Sequence, residues 1–204
     1  MNPERMSALS HASARVADNS RKSLYISDTG DRWRQVLGDP RTNQNPGLLA
    51  FGILFFRYHN VHALRIKAEH PDWTDEDIFL HARRHVIAAL QNVIMYEYVP
   101  VLLGENVTDY TGYKPDVHPG ISHEFQAAAF RFPHTSIPPG IYRRDGSCRF
   151  LDTKNGFKAL RLCSTWWLSE EVLPASGIDE LILGMASQIA EKEDHILCSD
   201  VRGE

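Results

Sequence analysis

Two long stretches of this sequence carry apolar side chains at helical spacing and stand almost back to back: Asn45 to His70, and Thr74 to about Tyr98, divided by His70, Pro71, Asp72 and Trp73. In the first, Leu48, Phe51, Phe55, Tyr58, Val61, His62, Arg65 and Ile66 recur near a 3.6-residue period, and Pro46 sits in the first turn, where a missing N–H costs nothing. In the second, Ile78, Ala82, Val86, Ala89, Leu90, Val93 and Ile94 form the stripe. Thr74 and Asp77 have the spacing of a capping box, and Pro100 is the expected stop. Two amphipathic helices joined by so short a break bury their stripes together or against a common core, so the sequence predicts a mainly α fold.

The rest is less regular. Residues 1–37 are polar with weak periodicity and read as an irregular or divergent N-terminal segment, leaving 38–204 as one domain. Asp109 to Pro115 is turn chemistry and predicts a loop. Ser122 caps a predicted third helix through Glu124, Phe125, Ala128 and Ala129 to His134, stopped by Pro138, Pro139 and Gly140. Arg149 to Leu151 reads as a small strand, and Ser176 as the cap of a last helix from Ile178 to about Ile189. The longest apolar run, Gly47 to Phe56, is too short for a bilayer, and the N-terminus lacks the apolar core of a signal peptide, so neither is expected in this chain.

With 22 Lys+Arg against 26 Asp+Glu the net charge is −4, which removes the basic footprint of a nucleic-acid binder; no nucleic-acid partner is expected. Cys148, Cys163 and Cys198 form no C-x-x-C pair and no zinc spacing. Among the 10 histidines, His59 with His62 and His81 with His85 have spacings that put both members of each pair on one helix face. Neither a carboxylate ligand nor a HExxH motif accompanies them, and they read as packed or solvated helical histidines. His134 closes an apolar helix just before a proline stop, and its pattern alone is that of a structural histidine. Arg41, in the turn-rich run Gly38 to Pro46, offers a fixed guanidinium fork to an anion or to a neighbouring acid. Asn106, Val107 and Thr108 make an N-glycosylation acceptor triplet.

Three collinear stretches carry more than any of these motifs: GDPRTNQNPGLLAFGILFFRYHNVHALRI, HPDWTDEDIFLHARRHVIAALQNVIMYEYVPVLLG and EFQAAAFRFPHTSIPPGIYRRD, with the closing GMASQIAEKEDHILCSDVRG. Together they resemble the animal haem peroxidase superfamily, and within it the extracellular peroxidase-homology domain of the dual oxidases, over about residues 38 to 203. The resemblance implies the superfamily's helical fold, present here as a partial domain. It implies a haem whose iron is held on the proximal side by His134, in the phrase Arg131 to Thr135, with Arg41 on the distal side as the residue that polarises a peroxide O–O bond; Arg131 and Gln44 match cofactor-contacting positions. Hydrogen peroxide and a small-molecule or phenolic donor are the implied substrates. The implied parent is membrane-anchored, faces the cell exterior or secretory lumen, and has a membrane maturation partner.

The departures are equally specific. Family members with covalently attached haem have a glutamate where this chain has Gln44, so a haem b held without that ester is implied. The distal histidine and the calcium loop precede the matched region and find no counterpart in residues 1–37. Pro133 stands beside the iron ligand where a small residue is usual, and Glu191, Glu193 and Asp194 stand where an asparagine orients the proximal imidazole. A carboxylate there would accept the same imidazole proton and make the ligand more anionic. The resemblance implies an oxidising compartment, where three pairings of the cysteines exist; Cys148–Cys163, closing a short loop with Cys198 free, is the expected one, with a glycan on Asn106. Two functions follow: a haem peroxidase domain oxidising a donor with hydrogen peroxide, or a peroxidase-like ectodomain without catalysis, kept as a docking and maturation surface.

Overall fold

The computed structural model describes residues 25–27, 33–35, 39–152, 156, 159–168 and 178–203. The described residues divide into two compact units, one over residues 55–116, the other over those described before residue 55 and after residue 116.

The first unit is a helical hairpin. Helix α1, Pro46–Glu69, contributes its second half, and α2 covers Asp75–Asn92. Ala63 and Ile66 of α1 meet Ile78 and Ala82 of α2, with Trp73 of the turn packed against them. The capping box forms as the spacing predicts: Asp77 N–H donates to Thr74 Oγ1 at 3.2 Å, and Thr74 N–H to Asp77 Oδ2 at 3.3 Å. Pro100 does not stop the helix. A π-helical stretch, Val93–Tyr98, leads from α2 into α3, Val99–Leu103, and the chain leaves the helix only at Gly104, in the left-handed region at φ +72°. The shifted hydrogen-bond register of the π turn puts Pro100 in the first turn of α3, where its missing donor goes unnoticed.

The expectation that no segment is long and apolar enough for a membrane is also corrected. Asp75–Leu103 is 29 residues of continuous helix whose best 18-residue window has a mean hydropathy of 1.6 and no buried residue. Gln91, Asn92 and Glu97 interrupt the apolar run without lowering its mean much, which hides the segment from a search for unbroken apolar sequence. The core helix of a soluble protein meets the same criterion.

The second unit carries the site. Two short strands where an irregular segment was expected, β1 (Tyr25–Ser27) and β2 (Trp33–Gln35), pair antiparallel with Tyr25 opposite Gln35; residues 1–24 lie outside the described ones. Asn45 caps α1 by accepting from Leu48 N–H at 2.9 Å. The predicted third helix is cut short: α4 spans His123–Ala127, capped by Ser122, and gives way to a 3-10 helix over Ala129–Ser136 that contains Pro133. Proline has no N–H for an α-helical bond, and the tighter turn accommodates it. A second antiparallel pair, β3 (Gly140–Tyr142) and β4 (Ala159–Arg161), was not expected, whereas the predicted strand at Arg149 to Leu151 is reduced to a single bridge between Phe150 and Arg144.

Helices α5 (Leu162–Thr165), α6 (Asp179–Ala186) and α7 (Ser199–Arg202) complete the unit. The predicted cap of α6, Ser176, lies outside the described residues, and the helix ends at Ala186 rather than near Ile189. Leu49, Ala50 and Ile53 of α1, Ile141 of β3, Leu160 of β4, and Ile178 with Leu181 of α6 form the core, with Ile182 and Met185 against it. Gly184 explains how closely α6 lies on β3: a Cβ there would stand 1.8 Å from Tyr142 O.

Candidate functional site

The 3-10 helix places His134 on an open groove of about 510 Å³, lined by Ala128, Arg131, Phe132, His134, Thr135, Glu193, Asp194 and Leu197. The local sequence dictates this presentation. Arg131 N–H closes on Ala128 O at 2.9 Å, Ser136 Oγ donates to Pro133 O at 2.7 Å, and the tight turn turns the His134 ring outward instead of into the core. The Arg131 guanidinium is steadied by donating from Nε to Gln126 O at 3.1 Å.

The opposite wall arrives from the far end of the chain. After α6, Gln188 works as a surrogate strand: its Nε2 donates to Gly140 O at 2.8 Å, and its Oε1 accepts from Tyr142 N–H at 3.3 Å. Glu191 N–H then donates to Ser136 O at 3.0 Å, binding the segment to the 3-10 helix. These anchors deliver Glu193 and Asp194 to the groove of His134. Asp194 already accepts from Ile196 N–H at 2.6 Å, whereas Glu193 has no hydrogen bond or ion pair among the described residues. Gln188 was missed from sequence; its only signal is a polar residue just beyond an apolar helix.

Two features of the groove suit a planar, iron-bearing ligand on this face. The His134 imidazole is exposed on the groove, and the Thr135 hydroxyl beside it is buried without a hydrogen-bond partner. Phe132, Ala128 and Leu197 supply apolar wall, and one imidazole is the donor set of a single axial iron position.

Arg41 does not join this wall. It lies in a 3-10 turn, Pro40–Asn43, and its side chain is 78% exposed. Its Nε lies 3.0 Å from each oxygen of Asp39, its Nη2 2.6 Å from Oδ2, and its own N–H donates to Oδ1 at 2.9 Å. The pairing holds the Asp39 carboxyl below its ordinary value and raises that of the guanidinium. Gln44 is held through its backbone, its N–H donating to Arg41 O at 2.9 Å and its C=O accepting from Trp167 N–H at 3.1 Å. Neither lines the groove.

The three cysteines are free thiols, so the Cys148–Cys163 bond is absent from the structure; the Cys163 N–H donates to Asp200 Oδ2 at 3.1 Å, and Cys148 sits in an exposed turn at φ +61°. Asn106 is exposed in the loop after Gly104. Among the described residues no group of three or more His, Cys, Asp or Glu is arranged to hold a metal ion.

A model of the animal haem peroxidase family matches residues 8–204. The chain is 62% identical over 167 residues to a dual oxidase of Drosophila melanogaster, and 54% identical over 171 residues to dual oxidase 1 of Caenorhabditis elegans. It is 47% identical over 179 residues to dual oxidase 1 of Homo sapiens. These matches take in 82 to 85% of this chain but only 11 to 12% of the relatives, so the chain spans about a ninth of their length. Among solved structures, peroxidase A from Dictyostelium discoideum superposes with a TM-score of 0.74 at 28% identity, covering 88% of this chain and 34% of that one.

Proposed function

We propose, for a chain that belongs to the animal haem peroxidase family, that its groove forms the proximal wall of a haem site in a dual-oxidase-type parent. The observation that carries this reading is that His134, Glu193 and Asp194, from distant parts of the chain, line one groove with the apolar Phe132 and Leu197. His134 would hold the iron of a haem b, and Glu193 would accept the proton of the other ring nitrogen, fixing the tautomer and strengthening the ligand. Arg131 and the apolar wall of Phe132 and Leu197 would flank the cofactor; with Gln44 in place of an ester-forming glutamate, it would be held without a covalent link at that position. When bound, the haem supplies hydrogen-peroxide-dependent oxidation of a donor. Arg41 becomes the distal cation only if its guanidinium exchanges Asp39 for the peroxide side. On this reading the parent would be membrane-anchored and face the cell exterior or secretory lumen, with a maturation partner and a glycan at Asn106.

A second reading has its own observation. The Arg41 guanidinium is exposed and already paired with Asp39, which favours a peroxidase-like ectodomain that serves as a docking and maturation surface without catalysis. Haem titration of the chain, of His134→Ala and of Glu193→Gln separates the two. A saturable Soret band lost in His134→Ala and shifted in Glu193→Gln is the expected outcome. Identical spectra for the chain and His134→Ala would sink the haem reading.

A further inference from the structure

Within the hairpin, six rings stand stacked, edge to face or, at His85–His81, tilted in one series: Tyr58, His62, His85, His81, Trp73 and His70, with successive centroid separations of 4.5, 4.6, 6.2, 5.0 and 4.0 Å. Four of the six are imidazoles, and the link between α1 and α2 is the His62–His85 pair, stacked with an interplanar angle of 3°. Parallel stacking points the in-plane lone pairs of this pair away from a common point, so the arrangement does not converge on a metal ion. It is instead sensitive to protons. Two neutral imidazoles attract when stacked, and two imidazolium ions at that separation repel.

We propose that the hairpin is an acid-sensitive device in which protonation of the stacked His62–His85 pair releases α2 from α1. The groups that face His62 leave little to offset a charge. On its own helix they are Tyr58, His59 and Arg65; from α2 it meets His85, with His81 beyond. Among the described residues no carboxylate lies within ion-pair distance of the pair. His62 Nε2 is buried with no hydrogen-bond partner among the described residues, so a charge on that ring is desolvated without compensation. Burial, followed by His85, Arg65 and His59, pushes His62 below its ordinary 6.5. A histidine lowered in this way gives stability that is complete above the unfolded value and lost as pH falls toward the folded one. Nearby, His59 Nε2–H donates to Phe79 O at 3.3 Å, and His70 stacks on Trp73.

The test follows hydrogen exchange over residues 75–92 in the whole chain as pH is lowered from neutrality through the histidine range, each rate corrected for the intrinsic pH effect. Titration of histidine-labelled protein by NMR accompanies it. The wild-type chain is expected to show a His62 midpoint below 6.5 and opening of α2 that grows by up to about tenfold per pH unit. His62→Phe keeps a ring and loses the proton, and its exchange is expected to be flat over the same range. If that variant does not fold, His85→Gln, at an exposed position, is expected to weaken the acid response by removing the stacked partner, and His118→Gln is the control that retains it in full. A His62 midpoint at or above 6.5, or an acid response in His85→Gln equal to that of the wild type, overturns the proposal.

Discussion

In the hairpin, residues that touch are separated by one or a few helical turns on either side of a single break: Ala63 and Ile66 against Ile78 and Ala82, Thr74 against Asp77. In the site unit the decisive contacts join distant parts of the chain. Gln188 bonds β3 from 46 and 48 residues away, Glu180 meets Arg143 across 37, and Asp200 holds Arg161 across 39. The first region is therefore built from pattern and the second from tertiary closure. The balance of burial differs too. Leu80, Ile87, Leu90, Val93, Ile94, Met95, Val101 and Leu103 of the long helix remain exposed, while Leu49, Ile178 and Leu181 in the site unit are sealed. Local sequence suffices to make a helix, but a groove with a chosen lining needs contacts that no short window contains.

One substitution made in both regions separates the two modes most sharply. Gly184→Ala drives a Cβ to within 1.8 Å of Tyr142 O, backbone that has no room to yield. Displacing α6 from β3 also unseats Gln188 and the wall that carries Glu193. The expected loss is about 3 kcal/mol of stability, measured by denaturant unfolding, with haem uptake falling as it does in His134→Ala. Gly104→Ala meets no atom within 4 Å and suffers only from its positive φ. It should cost about 1 kcal/mol and leave haem uptake intact. Equal losses at the two glycines would erase the distinction.

The next effect tests closure by charge. The Asp200 side chain is fully buried and accepts from Arg161 and from Cys163 N–H, joining α5 to α7, two four-residue helices too short to persist alone. The Arg161 contact, partly offset by burial, holds the Asp200 carboxyl far below the usual carboxylate range. A depressed carboxylate stabilises the fold above its unfolded value of 3.8, and that contribution disappears as pH falls below it. Asp200→Asn should remove about 2 kcal/mol at neutral pH, the half-exposed Arg161 retaining some hydration, and should blunt acid unfolding below about pH 4. Thermal melts of both proteins from neutral to acidic pH check the size and the sign; an unchanged acid limb would assign that lability to other carboxylates.

How much was legible in the sequence follows the same division. The 3.6-residue period of α1 and α2, the cap at Thr74 and the turn at His70 to Trp73 were all readable, because helix and cap chemistry is decided within a few residues. Pro100 misled because a π turn changes what a proline costs, and that turn has no side-chain signature. In the site, His134, Glu193 and Asp194 were named from sequence and line one groove, while Arg41 and Gln44 were named for the opposite face of the cofactor. Spacing cannot say that Arg41 finds its anion two residues back, at Asp39. The strands β3 and β4 are three residues each, too short for alternation to show, and Gln188 bonds only to backbone, which every sequence offers.

The smallest effect tests the local mode on its own terms. Thr74 caps α2 through Oγ1 and receives the Asp77 carboxylate in return, while Asp75, Glu76 and Asp77 fill the first turn, where the helix dipole favours negative charge. Thr74→Ala removes one half of the reciprocal pair and leaves the acids in place, so the expected loss is about 1 kcal/mol. The damage should stay local. Hydrogen exchange should accelerate over the first turn of α2 and fade along the helix, because each later N–H keeps its own i−4 carbonyl. A loss spread evenly across the site unit would mean that the cap is felt through tertiary contacts, and the hairpin would then belong to the second mode as well.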